Sequence, residues 1–221
     1  MINLERKEKL RNQMIRLEAY NEIQNQMGRF TAAINYKEMK CMSFFSNERE
    51  DVSLEYADEG IFVGREAIQT FLSESIGKGY EEGELIDFQL TTPIIEVAKD
   101  VKSARAVWWS PGITSLAKEN NNPQPIWLWG EVAVDFVYEN GQWLILHLHY
   151  FRTVKCDYHK GWVEDTSMIN RPNIPMHPLA QPTTYHNPYH SKAIRYGIPA
   201  APYAYETEDG ANWMLRNDKT K

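Results

Sequence analysis

Two long runs of alternating residues, joined by Glu139-Asn140-Gly141, constrain this chain more than anything else in it. They extend from Trp127 to Arg152. Asn-Gly between alternating apolar runs is the strongest short-range hairpin signal, because both residues accept the positive φ of a two-residue turn. Side chains alternate with a period of two, so each strand has two chemically different faces. On the first strand Trp127, Trp129, Glu131, Ala133 and Asp135 share a face opposite Val132, Val134 and Phe136. On the second, Trp143, Ile145, His147, His149 and Phe151 share a face opposite Leu144, Leu146, Leu148, Tyr150 and Arg152. One face of each strand therefore mixes large aromatics with ionisable groups. That mixture suits the wall of a polar-tipped apolar pocket better than a dry core.

Upstream, Leu10, Met14, Leu17, Tyr20, Ile23 and Met27 recur at spacings of three and four, which predicts a helix from about Leu4 to Met27 with that stripe buried. Gly28 reads as its stop or kink. A second short helix is expected from Asn35, as N-cap, to Phe45. Val52 to Tyr56 alternates as a strand. Gly64 precedes a run of helix formers that ends at Gly77 and Gly79. Glu84 to Val97 reads as strand broken near Thr92-Pro93, where proline implies a bulge or an edge. Ser103 to Leu116 is a further strand, interrupted at Pro111-Gly112, and residues 118–125 form a loop. Helices first and a meander last argue α+β: a curved antiparallel sheet with helices over one face and the closing strands at its centre.

From about Asp157 the character changes. Seven of the eleven prolines and half of the twelve tyrosines lie in this tail, so stretches such as 171–178 and 197–205 cannot be regular helix or central strand. The aromatic content argues for an ordered extended arm, laid across its own domain or a neighbouring subunit, rather than disorder. The reading is a domain over residues 1–156 and an arm over 157–221.

The formal charge of -6 and the lack of a basic patch exclude nucleic acid as an expected partner. No apolar run approaches membrane-spanning length and the charged N-terminus has no signal-peptide character, so a cytoplasmic location is expected. Cys41 and Cys156 lie far apart without a motif and read as free thiols.

The element order, with Gly60-Ile-Phe-Val-Gly-Arg-Glu-Ala-Ile-Gln-Thr-Phe-Leu72, resembles the SnoaL-like branch of the nuclear transport factor 2-like superfamily. Thr91 to Asp100 is similar to the first long sheet strand and turn of that family, and Asp135 to His147 to its final hairpin. The resemblance covers roughly residues 10–155 and leaves the tail unaccounted for. It implies a cone in which a bent sheet and three helices close a deep cavity. It also implies either metal-free acid–base chemistry without a cofactor (dehydratases, isomerases, lyases of lignin-derived phenolics) or a non-catalytic carrier or assembly module. Enzymatic members often carry Tyr and Asp near the first two helices, where this chain has Phe30 and Asn35.

Four residues are the candidates for catalysis. His147 and His149 suit proton transfer near neutral pH. Glu131, aimed into an apolar cone, gains a raised pKa and can orient a histidine. Arg152 matches an arginine late in the final strand of some dehydratases and would stabilise an oxyanion. Trp108, Trp127 and Trp129 offer flat walls for an aromatic substrate, and Tyr185 and Tyr189 of the tail could cap the mouth. A zinc or iron site on His147, His149 and Glu131 is the weaker reading, and no metal is expected. The expected function is a lyase, dehydratase or isomerase acting on a hydrophobic aromatic or polycyclic small molecule, in a homo-oligomer (dimer or trimer). The alternative is a binding or assembly module with no chemistry.

Overall fold

The computed structural model describes residues 4–56, 58–116, 122–169, 177–210 and 212–216. Parts of the expected loop over 118–125 and of the tail stretch 171–178 lie outside the described residues.

The chain opens with one long helix, α1 (Leu4–Asn35), rather than two. Gly28 stands inside it. The glycine costs about 1 kcal/mol of helix propensity, and burial of Met27, Phe30, Ala33 and Ile34 around it outweighs that. Burial begins only at Ala19; Leu10, Met14 and Leu17, expected inside, are 46%, 71% and 62% exposed. The first turns thus project beyond the sheet. Asn35 caps no second helix. Its side-chain amide donates to Phe88 O (2.8 Å) and accepts from Phe88 N (2.9 Å), as a strand neighbour would. A 3-10 turn, Met39–Phe44, follows instead.

Then come β1 (Ser53–Tyr56), β2 (Gly60–Val63), α2 (Arg65–Ile76), β3 (Leu85–Phe88) and β4 (Thr91–Val97). Three long strands close the sheet: β5 (Ser103–Leu116), β6 (Gln124–Glu139) and β7 (Gln142–Asp157). The strand order is β2-β1-β7-β6-β5-β3, with β4 also on β5, so the closing hairpin is central as expected. Neighbours pair antiparallel except β1 and β7, which run parallel. The hairpin turn has φ +50° at Asn140 and +83° at Gly141, as the Asn-Gly signal requires. β5 is not interrupted at Pro111-Gly112. There it changes partner, from β4 up to Trp109 to β3 from Gly112 onward. Gly112 fits because any Cβ would sit 2.8 Å from Asp87 O. The expected irregularity at Thr92-Pro93 is a register shift between Thr91 and Ile94.

One face of the sheet packs on α1 and α2. Trp108, Val132, Val134, Phe136, Leu148 and Tyr150 join Ile23, Met27 and Phe30 there in the main core. The other face carries a second, smaller core: Val107, Ala133 and Phe151 under Trp213 and Met214. Its cover is the C-terminal arm, an extended segment that is almost helix-free among its described residues. The arm bridges Gln181 to Ile61, donates Tyr189 N to Thr153 O (2.8 Å) and joins Ala200 N to Met214 O (2.9 Å). Among the described residues no helix is long and apolar enough to cross a membrane.

Candidate functional site

Two bulges in β7 decide which side chains meet. Asp135 lies opposite His147 but Phe136 lies opposite Ile145, so Leu146 is the extra residue. The bulge separates groups that strict alternation would put together. Trp143 and Ile145 join the helix-side core, whereas His147, His149 and Phe151 face the arm. A second shift follows Arg152, which pairs with Gly130 while Val154 pairs with Trp129.

The histidines therefore do not point into the helix-covered interior where sequence placed them. They line a cavity of about 280 Å³ between the outer sheet face and the arm. Ile61, Leu146, Leu148 and Met214 give it apolar walls, and ionisable groups converge on it from β1, β5, β6 and β7.

The parallel pairing of β1 with β7 builds the catalytic-looking corner. Its register sets Ser53 beside His147 and Glu55 beside His149. His149 Nδ1 lies 3.3 Å from Glu55 Oε2, and both side chains are buried. Glu55 is fixed by the arm: Thr184 donates through its N (2.6 Å) and its hydroxyl (2.8 Å to Oε2), and Thr183 Oγ1 donates as well. His149 stacks on Phe151 with centroids 3.6 Å apart, and its Nε2 has no hydrogen-bond partner among the described residues. Burial, with His186 nearby, pushes the His149 pKa down to about 3, so the ring is neutral at pH 7.

His147 is more open. Its Nδ1 is 3.0 Å from Ser53 Oγ, and its Nε2 is 3.9 Å from Asp51, which Arg49 holds by a double contact. Burial lowers its pKa below the usual histidine value, against the pull of Asp51.

Across the cavity, Asp135 Oδ1 accepts the Trp213 indole N–H at 2.6 Å. Arg105 Nε stands 3.8 Å from the same carboxylate, and its guanidinium lies 4.2 Å from the Tyr205 ring centre. Burial pushes Asp135 up to about 6, with Trp213 and Arg105 opposing.

Seven expected site residues lie outside this cavity. Arg152 is buried on the helix side, paired with Asp58 and over the rings of Tyr56 (5.2 Å) and Tyr150 (5.1 Å). It therefore cannot meet the histidines through the sheet. Trp108 is core, edge-on to Phe136. Glu131 faces the arm but does not line the histidine cavity; Arg195 stands 3.9 Å from it, and burial pushes its carboxyl up to about 7. Glu55, not Glu131, is the carboxylate beside His149. No group of three or more metal-ligating side chains forms among the described residues. Tyr185 packs on Phe151, 6.1 Å between centroids. Trp127, Trp129 and Tyr189 meet at a separate cavity of about 420 Å³ on the same outer face.

Sequence reasoning missed Glu55, Ser53, Asp51 and Arg105. The alternation of Val52 to Tyr56 put Ser53 and Glu55 on one face, but nothing local shows that β1 pairs in parallel with β7.

A family model described as a SnoaL-like domain matches residues 16–149. Among solved structures, a scytalone dehydratase-like protein from Novosphingobium aromaticivorans is 20% identical, with a TM-score of 0.55, over 70% of this chain and 97% of that one. The hexachlorocyclohexane dehydrochlorinase LinA type 3 from Novosphingobium barchaimii is 14% identical, with a TM-score of 0.54, over 66% and 93%. A dehydratase-like protein of the NTF2-like family from Streptomyces avermitilis is 12% identical, with a TM-score of 0.51, over 59% and 94%. At such identities the shared property is the NTF2-like fold. No functionally curated protein matches the sequence. The family match ends at His149, before the arm.

Proposed function

The chain belongs to the SnoaL-like family, and from that premise we propose that it is a lyase or dehydratase. It would act on a hydrophobic aromatic small molecule by acid–base chemistry in the arm-covered cavity. One observation carries the reading: two same-face histidines, each with a polar partner on β1, converge with Asp135 and Arg105 on one largely apolar cavity. A volume of about 280 Å³ is at the small end of ligand pockets. It favours a single-ring substrate over a polycyclic one.

Elimination needs a base for a carbon-bound proton and an acid for the leaving oxygen. In this reading neutral His147 takes the proton, and Asp51 stabilises the resulting imidazolium. The C–H electron pair becomes the new π bond. The leaving hydroxyl takes the proton of Asp135 and departs as water. Arg105 supports negative charge that builds on a neighbouring oxygen, and His149, held beside Glu55, positions that oxygen. Loss of formaldehyde from an aryl 1,3-diol would use the same groups: His147 takes the proton of the hydroxymethyl O–H, the C–C bond breaks as the C=O of formaldehyde forms, its electron pair becomes the new π bond, and the benzylic hydroxyl leaves as water with the proton of Asp135. The dehydrochlorinase and dehydratase names among the fold relatives point the same way, toward elimination.

The second reading, a module that binds without chemistry, is favoured by the way Glu55 is saturated by Thr183 and Thr184, as a structural anchor would be. A panel of aryl β-hydroxy ketones and aryl 1,3-diols, followed by mass spectrometry for loss of water or formaldehyde, separates the two. Turnover that falls at least about 100-fold in His147→Gln supports the enzyme; binding of panel members with no product supports the module.

We also propose a homo-oligomer, on the exposed stripe Leu10, Met14 and Leu17, and a cytoplasmic location, on two buried free thiols.

A further inference from the structure

The aromatic cavity on the outer face is not used by the proposed reaction, and it shares no lining residue with the histidine cavity. Its walls are Trp109, Trp127, Trp129 and Trp162, joined by Tyr189 of the arm. Trp109 and Trp129 keep 54% and 53% of their surface exposed. Exposed large apolar surface gathered in one concavity marks a binding site more often than scattered residues do. The sheet holds these rings in place. Trp109 lies opposite Glu131 and Trp129 opposite Pro111, so the two indoles sit diagonally on neighbouring strands. Trp127 is stacked on Tyr158, 5.6 Å between centroids at 26°.

Arg195 is the one formally charged residue in this lining. Its Nη2 donates to Thr153 Oγ1 at 3.1 Å, and Glu131 stands 3.9 Å away, beyond hydrogen-bond distance. A guanidinium has five N–H donors in a planar fork, so this one keeps donors for a ligand. Trp109 and Phe151, opposite Glu131 on the flanking strands, carry no charge. Burial pushes the Glu131 carboxyl up to about 7, so near neutrality much of it is uncharged and does not repel an anion.

We propose that this cavity binds a planar aromatic carboxylate, with its ring against the indoles and its carboxylate on Arg195. A neutral arene would leave the remaining guanidinium donors unused, and an aliphatic acid would forgo the stacking that indole faces offer. A volume of about 420 Å³ accommodates one or two fused rings.

Calorimetric titration of the full chain with 2-naphthoate and with 2-naphthamide tests this. The carboxylate should bind saturably and about tenfold more tightly than the amide. Arg195→Gln, at a half-exposed arm position, should abolish that preference with an unchanged circular dichroism spectrum. Trp129→Ala should weaken both ligands, and His147→Gln should change neither. Equal binding of acid and amide, or no saturable binding of either, overturns the proposal. So does loss of binding in His147→Gln, which would place the ligand in the other cavity. Sedimentation that shows a second copy released by Trp129→Ala also overturns it, because the indoles would then face a subunit.

Discussion

Glu131 and Asp135 sit two pleats apart on one strand, and burial has moved both carboxyls toward neutrality. Linkage turns that into measurable behaviour. The folded-state pKa of Glu131 is raised from 4.5 to about 7, so between these values the folded chain holds a proton that the unfolded chain has released. The associated stability is present below pH 4.5 and lost as pH rises through about 7. Glu131→Gln should therefore match the wild type near pH 4 and exceed it by roughly 3 kcal/mol at pH 8, at 1.36 kcal/mol per pKa unit. Urea denaturation at the two values checks this, and equal stability at pH 8 contradicts it. Asp135 gives a kinetic counterpart. If its protonated form is the acid, kcat/KM should fall about tenfold per unit above pH 6 and decline again at low pH as His147 takes a proton. Asp135→Asn should remove the high-pH limb. Both histidines were legible in the sequence as ionisable groups sharing one face of a strand. Their partners were not, because Glu55 and Ser53 are joined to them by a parallel pairing that no local pattern announces.

Most elements were readable because local signals and packing agree. Asn140-Gly141 fixed the hairpin, and Gly64 and Gly77 bracket α2. Two of the misread elements share one reason: tertiary contacts overrode local propensity. α1 runs through Gly28 because the residues around it are buried. β7 carries bulges that period-two reasoning cannot foresee, and they move Trp143 and Ile145 to the helix side. Gly28 is exposed and a Cβ there would meet nothing within 4 Å. Gly28→Ala should accordingly stabilise the protein by about 0.5–1 kcal/mol, read from a chemical denaturation midpoint. The stripe Leu10, Met14, Leu17 is the opposite case, a helix face without a core to cover it. Leu10→Lys with Leu17→Lys should reduce the mass seen by sedimentation velocity while leaving the melting temperature nearly unchanged. An unchanged mass would remove that stripe as the association surface.

At the scale of the molecule, the arm changes what the fold offers. An NTF2-like sheet with helices on one side has a second side, and here that side is covered. The sequence argued that stretches such as 197–205 are not regular helix and that the tail is too aromatic to be a solvated one, but not which surface it covers. Glu55 to Thr183 and Thr184, Asp135 to Trp213 and Arg105 to Asp209 supply the answer. They draw the arm over the histidine face and enclose polar groups that would otherwise be solvated. The proposed chemistry lies on this arm side and not among Tyr56, Tyr150 and Arg152 on the helix side. The most direct measurement compares kcat/KM of His147→Gln and Tyr150→Phe on the first substrate found to turn over. Tyr150 suits the comparison because Tyr150→Phe removes only the hydroxyl, beside Ser110 and Arg152, and leaves the buried ring packed in the main core. His147→Gln should lose at least about 100-fold and Tyr150→Phe should change little; the reverse order would put the chemistry on the helix side.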